Sequence, residues 1–214
     1  GGDILKALDG LGEKYETLNL GVKPYPSCRY SHAAIDGLIE FKKELNFSLE
    51  SLDDVEIGLS ETALNIIGYP ELDKRNPKSV VDGQFSMAFC AAVALKGDDL
   101  TWDDYKTHLG NSETLSLCSS IKVNPDEDAE KHCPEYMSAK VKIIVNGEKH
   151  EKFIKIPKGE PENFMSDDEF ISKFTSLTEP YLSSQRIEKL TDLMMRMDNV
   201  NTVNSIFELS QIDI

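Results

Sequence analysis

Apolar positions along the chain follow two periods, and each predicts a different element. Ala33, Ala34, Ile35, Leu38, Ile39, Phe41 and Leu45 recur at three- and four-residue spacings after Cys28, which predicts one amphipathic helix of about four turns, closed by Asn46 and Ser48. In SLDDVEIGLSETALNII the period changes to two. Val55, Ile57 and Leu59 alternate with Glu56, Gly58 and Ser60, as in a strand with one buried face. A polar turn, GYPELDKRNPKS, follows, and from Phe85 to Leu95 nearly every residue is apolar. That run stops at Lys96-Gly97, so it predicts a helix covered on both sides.

Weaker patterns fill the remainder. KYETLNLGVKPYP carries enough alternation for a short strand that Pro24 and Pro26 must end. TLSLCSSIKVNP reads as another strand, and NPDEDAEKHCPE as a solvated acidic loop lacking the glycine and terminal glutamate of a calcium-binding loop. MSAKVKIIVNGEKHEKFIKIPKG predicts two strands joined by Asn146-Gly147, a dipeptide that suits a tight hairpin turn. Ser166 followed by Glu169 forms a capping box, opening the first of three helices expected near 167–178, 183–197 and 202–210. The pattern therefore predicts an α+β fold: a mixed or antiparallel sheet with helices packed on it, turning purely helical near Gly159. The tail helices carry Leu177, Leu182, Ile187, Leu190, Leu193, Met194, Met197, Val200 and Ile206. Such apolar helices are expected to dock on the sheet, a partner chain or another part of the same protein. There is no internal repeat or heptad pattern.

Charge narrows the function. With 38 acidic against 23 basic residues and a formal net charge of -15, no basic stripe is available to neutralise a phosphate backbone, so nucleic acid is not an expected partner. No apolar run reaches the roughly 20 residues of a membrane span, and GGDILKALDG lacks the plan of a signal peptide. Its Gly1-Gly2 opening reads as a cut end or an appended scar. Cys28, Cys90, Cys118 and Cys133 show no CxxC spacing, which suits a reduced, intracellular protein. His132-Cys133 is the one adjacent pair of possible metal ligands, and without a second pair no metal is expected.

Against that acidity, KPYPSCRYSHAAID (residues 23–36) gathers a lysine, an arginine and a histidine around two prolines. A local, specific anion is the natural target. Lys23 is presented from a stiff loop, as a point charge for a carboxylate or, if desolvated, as an acid or base. Ser27 is placed to cap the following helix, and Arg29 supplies a bidentate fork. His32 shares the helix face of Ile35 and Ile39, where it is either a satisfied core histidine or a group converging with Lys23 on one polycarboxylate. Tyr25 and Tyr30 are either donors or packing. No GxSxG, HExxH, P-loop or GxGxxG occurs.

Three stretches in order, KPYPSCRYSHAAIDG, NPKSVVDGQFSMAFCAAVALKGD and VKIIVNGEKHEKFIKIPKGEPENFMSDDEFISKF, resemble the C-terminal half of the MmgE/PrpD family. That family includes 2-methylcitrate dehydratase, cis-aconitate decarboxylase and an iminodisuccinate epimerase, cofactor-free enzymes that move protons beside carboxylates. The resemblance implies that residues 1–158 form an α/β lid and that 159–214 return to an all-helical domain built mainly from an N-terminal half. It implies a small polycarboxylate substrate, a homodimer, and a cytoplasmic or mitochondrial-matrix location. Lys23 and His32 are the implied catalytic residues, with Tyr25, Ser27, Cys28 and Arg29 binding substrate. Decarboxylase members have a histidine where this chain has Cys28, and their active-site tyrosine falls near Leu64. The family's Asp-Ala before Gln-Phe-Ser is Asp82-Gly83 here. The last change is minor; the first two departures favour dehydration of an alkylcitrate, with a cis-aconitate decarboxylase-like enzyme or a non-catalytic binding module as the alternatives.

Overall fold

The structure is a computed structural model and describes residues 6, 8–97 and 99–212; the Gly1-Gly2 opening lies outside the described residues. Its centre is a four-stranded mixed sheet of β1 (Leu52–Leu59), β2 (Lys122–Pro125), β3 (Ala139–Val145) and β4 (Glu148–Ile154), in the order β2-β1-β3-β4. β1 runs parallel to β2 and antiparallel to β3, with Ile57 opposite both Val123 and Val141. Asn146 and Gly147 turn β3 into β4 with φ of 51° and 79°, a turn with both central residues left-handed.

Burial alternates along β3, where Ala139, Val141, Ile143 and Val145 face inward. Helix α1 (His32–Leu45) covers that face, burying Ala33, Ala34, Ile35, Leu38 and Phe41. A Cβ on Gly37 would sit 3.0 Å from Val141 Cγ2, so glycine lets the helix lie close to the sheet. Asn46, at φ 46°, ends α1 as expected.

Past β1 come three short helices, α2 (Glu61–Ala63), α3 (Glu71–Lys74) and α4 (Val80–Gln84). The second of these lies within what reads as a polar turn in sequence, and the third begins directly after it. Helix α5 (Met87–Lys96) is buried from Met87 to Leu95, capped by Ser86 through the Phe89 N–H at 3.1 Å. It packs against α1 on one side and α7 (Ser112–Ser120) on the other, after the short α6 (Asp104–His108).

Three local expectations are corrected. The segment 14–26 forms no strand: Glu16–Asn19 is a 3-10 turn, and beyond it Val22 N–H reaches Gly159 O at 2.7 Å. TLSLCSSIKVNP is mostly helix α7, because Asn111 caps it through Thr114 N–H and the one-turn pair Thr114 and Cys118 is buried; only Lys122–Pro125 remains a strand. The acidic run forms helix α8 (Glu127–His132), whose N-cap Asp126 accepts from the N–H groups of Asp128 and Ala129, both at 3.0 Å. Acids in its first turn suit the helix dipole.

Asp126 also pairs with Lys140 at 3.1 Å. Asp126→Ala should therefore cost about 1–2 kcal/mol, read as a lowered thermal midpoint. Asp126→Asn should recover most of the loss, since the cap survives without the charge.

The tail forms α9 (Asp167–Thr178), with the complete Ser166/Glu169 capping box, then α10 (Ser184–Met195) and α11 (Asn204–Ser210). Ile187 and Leu190 are buried, but Met194, Met195, Met197, Val203 and Phe207 remain exposed. No described helix is long and apolar enough to cross a membrane.

Candidate functional site, a braced lysine loop

Pro24 and Pro26 restrict the backbone of residues 23–28, and five surrounding segments hold what remains free. Pro26 O accepts from Gln84 Nε2 (3.0 Å) at the end of α4 and from Tyr105 Oη (2.9 Å) in α6. Cys28 N–H donates to Gln84 O at 2.9 Å. Lys173 Nζ, from α9, donates to Lys23 O at 2.6 Å. Tyr25 Oη donates to Asp36 Oδ1 at 2.6 Å, and the other oxygen of Asp36 accepts from Lys158 N–H at 2.7 Å. Tyr25 and Asp36 are each 8% exposed, and burial raises the Asp36 carboxyl above its ordinary range against the opposing pull of these two donors. Tyr25 is thus a spoke between loop and helix.

The segment after β4 completes the brace. Gly159, at φ +85°, accepts from the Val22 N–H, and Glu160 takes Arg29 through Nε (2.7 Å) and Nη2 (2.6 Å). Arg29 therefore spends its fork on the protein's own carboxylate.

His32 is fully buried. Its Nδ1 lies 3.4 Å from Arg29 Nη1 and its Nε2 3.4 Å from Ser27 O. A guanidinium only donates, so Nδ1 accepts and Nε2 carries the proton. Burial, then the neighbouring Arg29 charge, push the imidazole down to about 3. His32 is neutral at pH 7 and fixes two loop groups at once.

Ser27 does not cap the helix, contrary to expectation. The N-cap is Ser31, after a 3-10 turn Arg29–Ser31, and Ser27 Oγ lies buried 2.8 Å from Ser31 Oγ. Cys28 is partly exposed. Lys23 is exposed at the rim, with its ammonium 3.1 Å from Ser27 O.

Lys23 and Tyr25 also line a cleft of about 690 Å³ between the loop, α1, residues 99–102, residues 158–165 and α9. Ser27, Cys28, Arg29 and His32 lie outside it. Carboxylates in the cleft are largely spoken for: Glu169 pairs with Lys158 at 3.1 Å and Glu40 with Lys152 at 2.9 Å. Lys23, Lys43 and Lys173 have no ion pair among the described residues, and burial lowers the Lys173 ammonium below its ordinary range.

Sequence reasoning overlooked Lys173, Asp36, Gly159 and Glu160. One signal was present for Asp36, an acid set within the apolar stripe of Ile35, Leu38 and Ile39. Leu64, near the position of the decarboxylase tyrosine, is fully buried in the core. Among the described residues no group of three or more His, Cys, Asp or Glu side chains is placed to hold a metal. His132 packs instead against Phe153 at 5.7 Å.

Comparison with known proteins agrees with the motif order. Cis-aconitate decarboxylase from Aspergillus terreus is 21% identical over 209 residues, 94% of this chain and 42% of the relative. A cis-aconitate decarboxylase-like protein, oryM, from Aspergillus oryzae is 22% identical over 208 residues, 93% of this chain and 42% of its own length. The chain thus spans less than half the length of these curated relatives. The MmgE/PrpD C-terminal domain profile matches residues 25–198, and by that match the chain belongs to the MmgE/PrpD family.

Proposed function

We propose that this chain is the C-terminal part of a cofactor-independent lyase that acts on a di- or tricarboxylate by proton transfer, with 2-methylcitrate dehydration as the first reading. The observation that supports it is the Lys23 loop: Lys23 is exposed, while the loop's backbone is tied to α4, α6 and α9 and its Tyr25 side chain to Asp36, which Lys158 holds in turn. Catalysis draws on groups fixed before substrate arrives, and such bracing supplies that fixity.

In this reading residues 1–158 act as a lid and 159–214 as helices returning to a helical domain, which a further part of the protein completes. A homodimer accords with the exposed apolar tail. Removing the proton beside a carboxylate leaves negative charge on that carboxylate, and Lys23 offsets it. Dehydration then breaks the C–O bond, forms C=C and returns a proton to the departing hydroxide as water. Tyr25 borders the substrate beside Lys23, whereas Cys28 stands outside the cleft; Ser27, Arg29 and His32 keep the loop in place. The second reading, decarboxylation of cis-aconitate, is favoured by the similarity to cis-aconitate decarboxylase and to a cis-aconitate decarboxylase-like protein. There C–C cleavage releases CO₂ and the carbon takes up a proton.

Lys23→Met in the full-length protein is expected to lower kcat on the true substrate about 10²–10⁴-fold with an unchanged thermal midpoint. Absorbance of the unsaturated product from 2-methylcitrate, against CO₂ release from cis-aconitate, separates the two reactions. Retained turnover in Lys23→Met would remove Lys23 from the chemistry, and no turnover of either substrate by the unaltered full-length protein would overturn the lyase reading.

A further inference from the structure

The cleft beside the Lys23 loop has two kinds of lining. Ile39, Leu100 and Met165 form an apolar floor, at 8%, 1% and 7% exposure, and Trp102 and Leu177 stand over it half exposed. Along the same cleft Lys23, Lys43 and Lys173 present ammonium groups without an ion pair among the described residues. Unpaired cations in a chain of net charge -15, adjoining an apolar floor, complement one class of small molecule. Glu169, Glu40 and Asp36 add little repulsion, because each is engaged by a cation or by hydrogen-bond donors. Asp99 is the remaining acid, held by the Leu100 N–H at 2.7 Å.

We propose that this cleft binds an amphipathic carboxylate, with its head on the Lys173 side and its hydrocarbon on the floor beneath Trp102. Lys173 enters from α9 and already touches Lys23 O, so a bound head group joins the helical segment to the loop. The ligand is either the alkyl branch of the polycarboxylate substrate, which rests on the reading above, or a separate effector; the recognising chemistry is the same. A cleft of about 690 Å³ has room beyond a small carboxylate alone, within the roughly 300–1,000 Å³ of ordinary ligand sites.

Trp102 is the chain's single tryptophan and reports on the cleft directly. Titration of the 214-residue protein with hexanoate is expected to give a saturable change in Trp102 fluorescence that neither acetate nor hexanol reproduces at equal concentration. Lys173→Met should weaken hexanoate about tenfold, the scale of one charge-assisted hydrogen bond, and Lys173→Arg should restore it. Lys43→Met, on an exposed side chain, gives an independent second test with a smaller loss in the same direction. Citrate competing with hexanoate supports the substrate-branch form, and simultaneous binding supports the effector form. A linear response to hexanoate, an equal response to hexanol, or unchanged affinity in Lys173→Met overturns the site. Hexanoate binding in a full-length protein inactive on both polycarboxylates would keep the cleft and discard the lyase reading.

Discussion

Gly159→Ala is expected to destabilise the protein by at least about 3 kcal/mol and to unseat the Lys23 loop. The residue lies at φ +85°, and a Cβ built there would stand 1.9 Å from Val22 O. Either the backbone leaves the left-handed region or Val22 retreats, and both break the Val22–Gly159 hydrogen bond at 2.7 Å. Gly110 supplies the control. It has a similar φ of +74° with nothing within 4 Å of a built Cβ, so Gly110→Ala should cost only about 1–2 kcal/mol. Paired urea denaturations measure the difference, which isolates the collision with Val22 from the conformational penalty. Equal costs would mean that the loop does not need this close approach.

A comparably large effect is expected in acid. His32 titrates near 6.5 when unfolded and is pushed down to about 3 when folded, so the unfolded chain binds its proton first. Its contribution is complete above the unfolded value and is lost as pH falls toward the folded one. Between about pH 6.5 and 4.5 this single group should remove roughly 2–3 kcal/mol of stability. His32→Gln keeps a donor and an acceptor but takes up no proton. The variant should be less stable near neutrality, yet its urea midpoint should fall less steeply over the same interval. Asp36 works with the opposite sign, its raised carboxyl favouring the folded state as pH falls, and cancels in the comparison. Parallel declines in the two proteins would show that His32 is not the sensing group.

Features built from neighbouring residues were legible in the sequence. Helix α1, strand β1, the 146–147 hairpin and the 166–169 capping box each follow from periods or turn chemistry contained within a few residues. Helices α7 and α8 were missed for a different reason. Their deciding contacts are caps, Asn111 and Asp126, standing beside compositions that suggest strand and loop. At the site, the presence of Lys23 and its stiff loop could be read directly. The brace could not, because Lys173 is 150 positions from Lys23, Lys158 is 122 from Asp36 and Glu160 is 131 from Arg29. No local period records such partners. The helix α9 residues Glu169, Lys173, Ser176 and Leu177 share one helical stripe, and that stripe lines the cleft in the fold.

The latch at 158–160 changes how the chain can be divided. Pattern alone suggests dissection near Gly159, where strands give way to helices, and an expression primer placed there would look harmless. Yet Lys158, Gly159 and Glu160 each hold a different part of the loop: the Asp36 spoke, the Val22 backbone and the Arg29 fork. A shortened protein ending at residue 158 would keep its whole sheet while discarding two of those three holds. Minimal versions made for crystallography or display should therefore run past Lys173, so that the loop travels with everything that grips it.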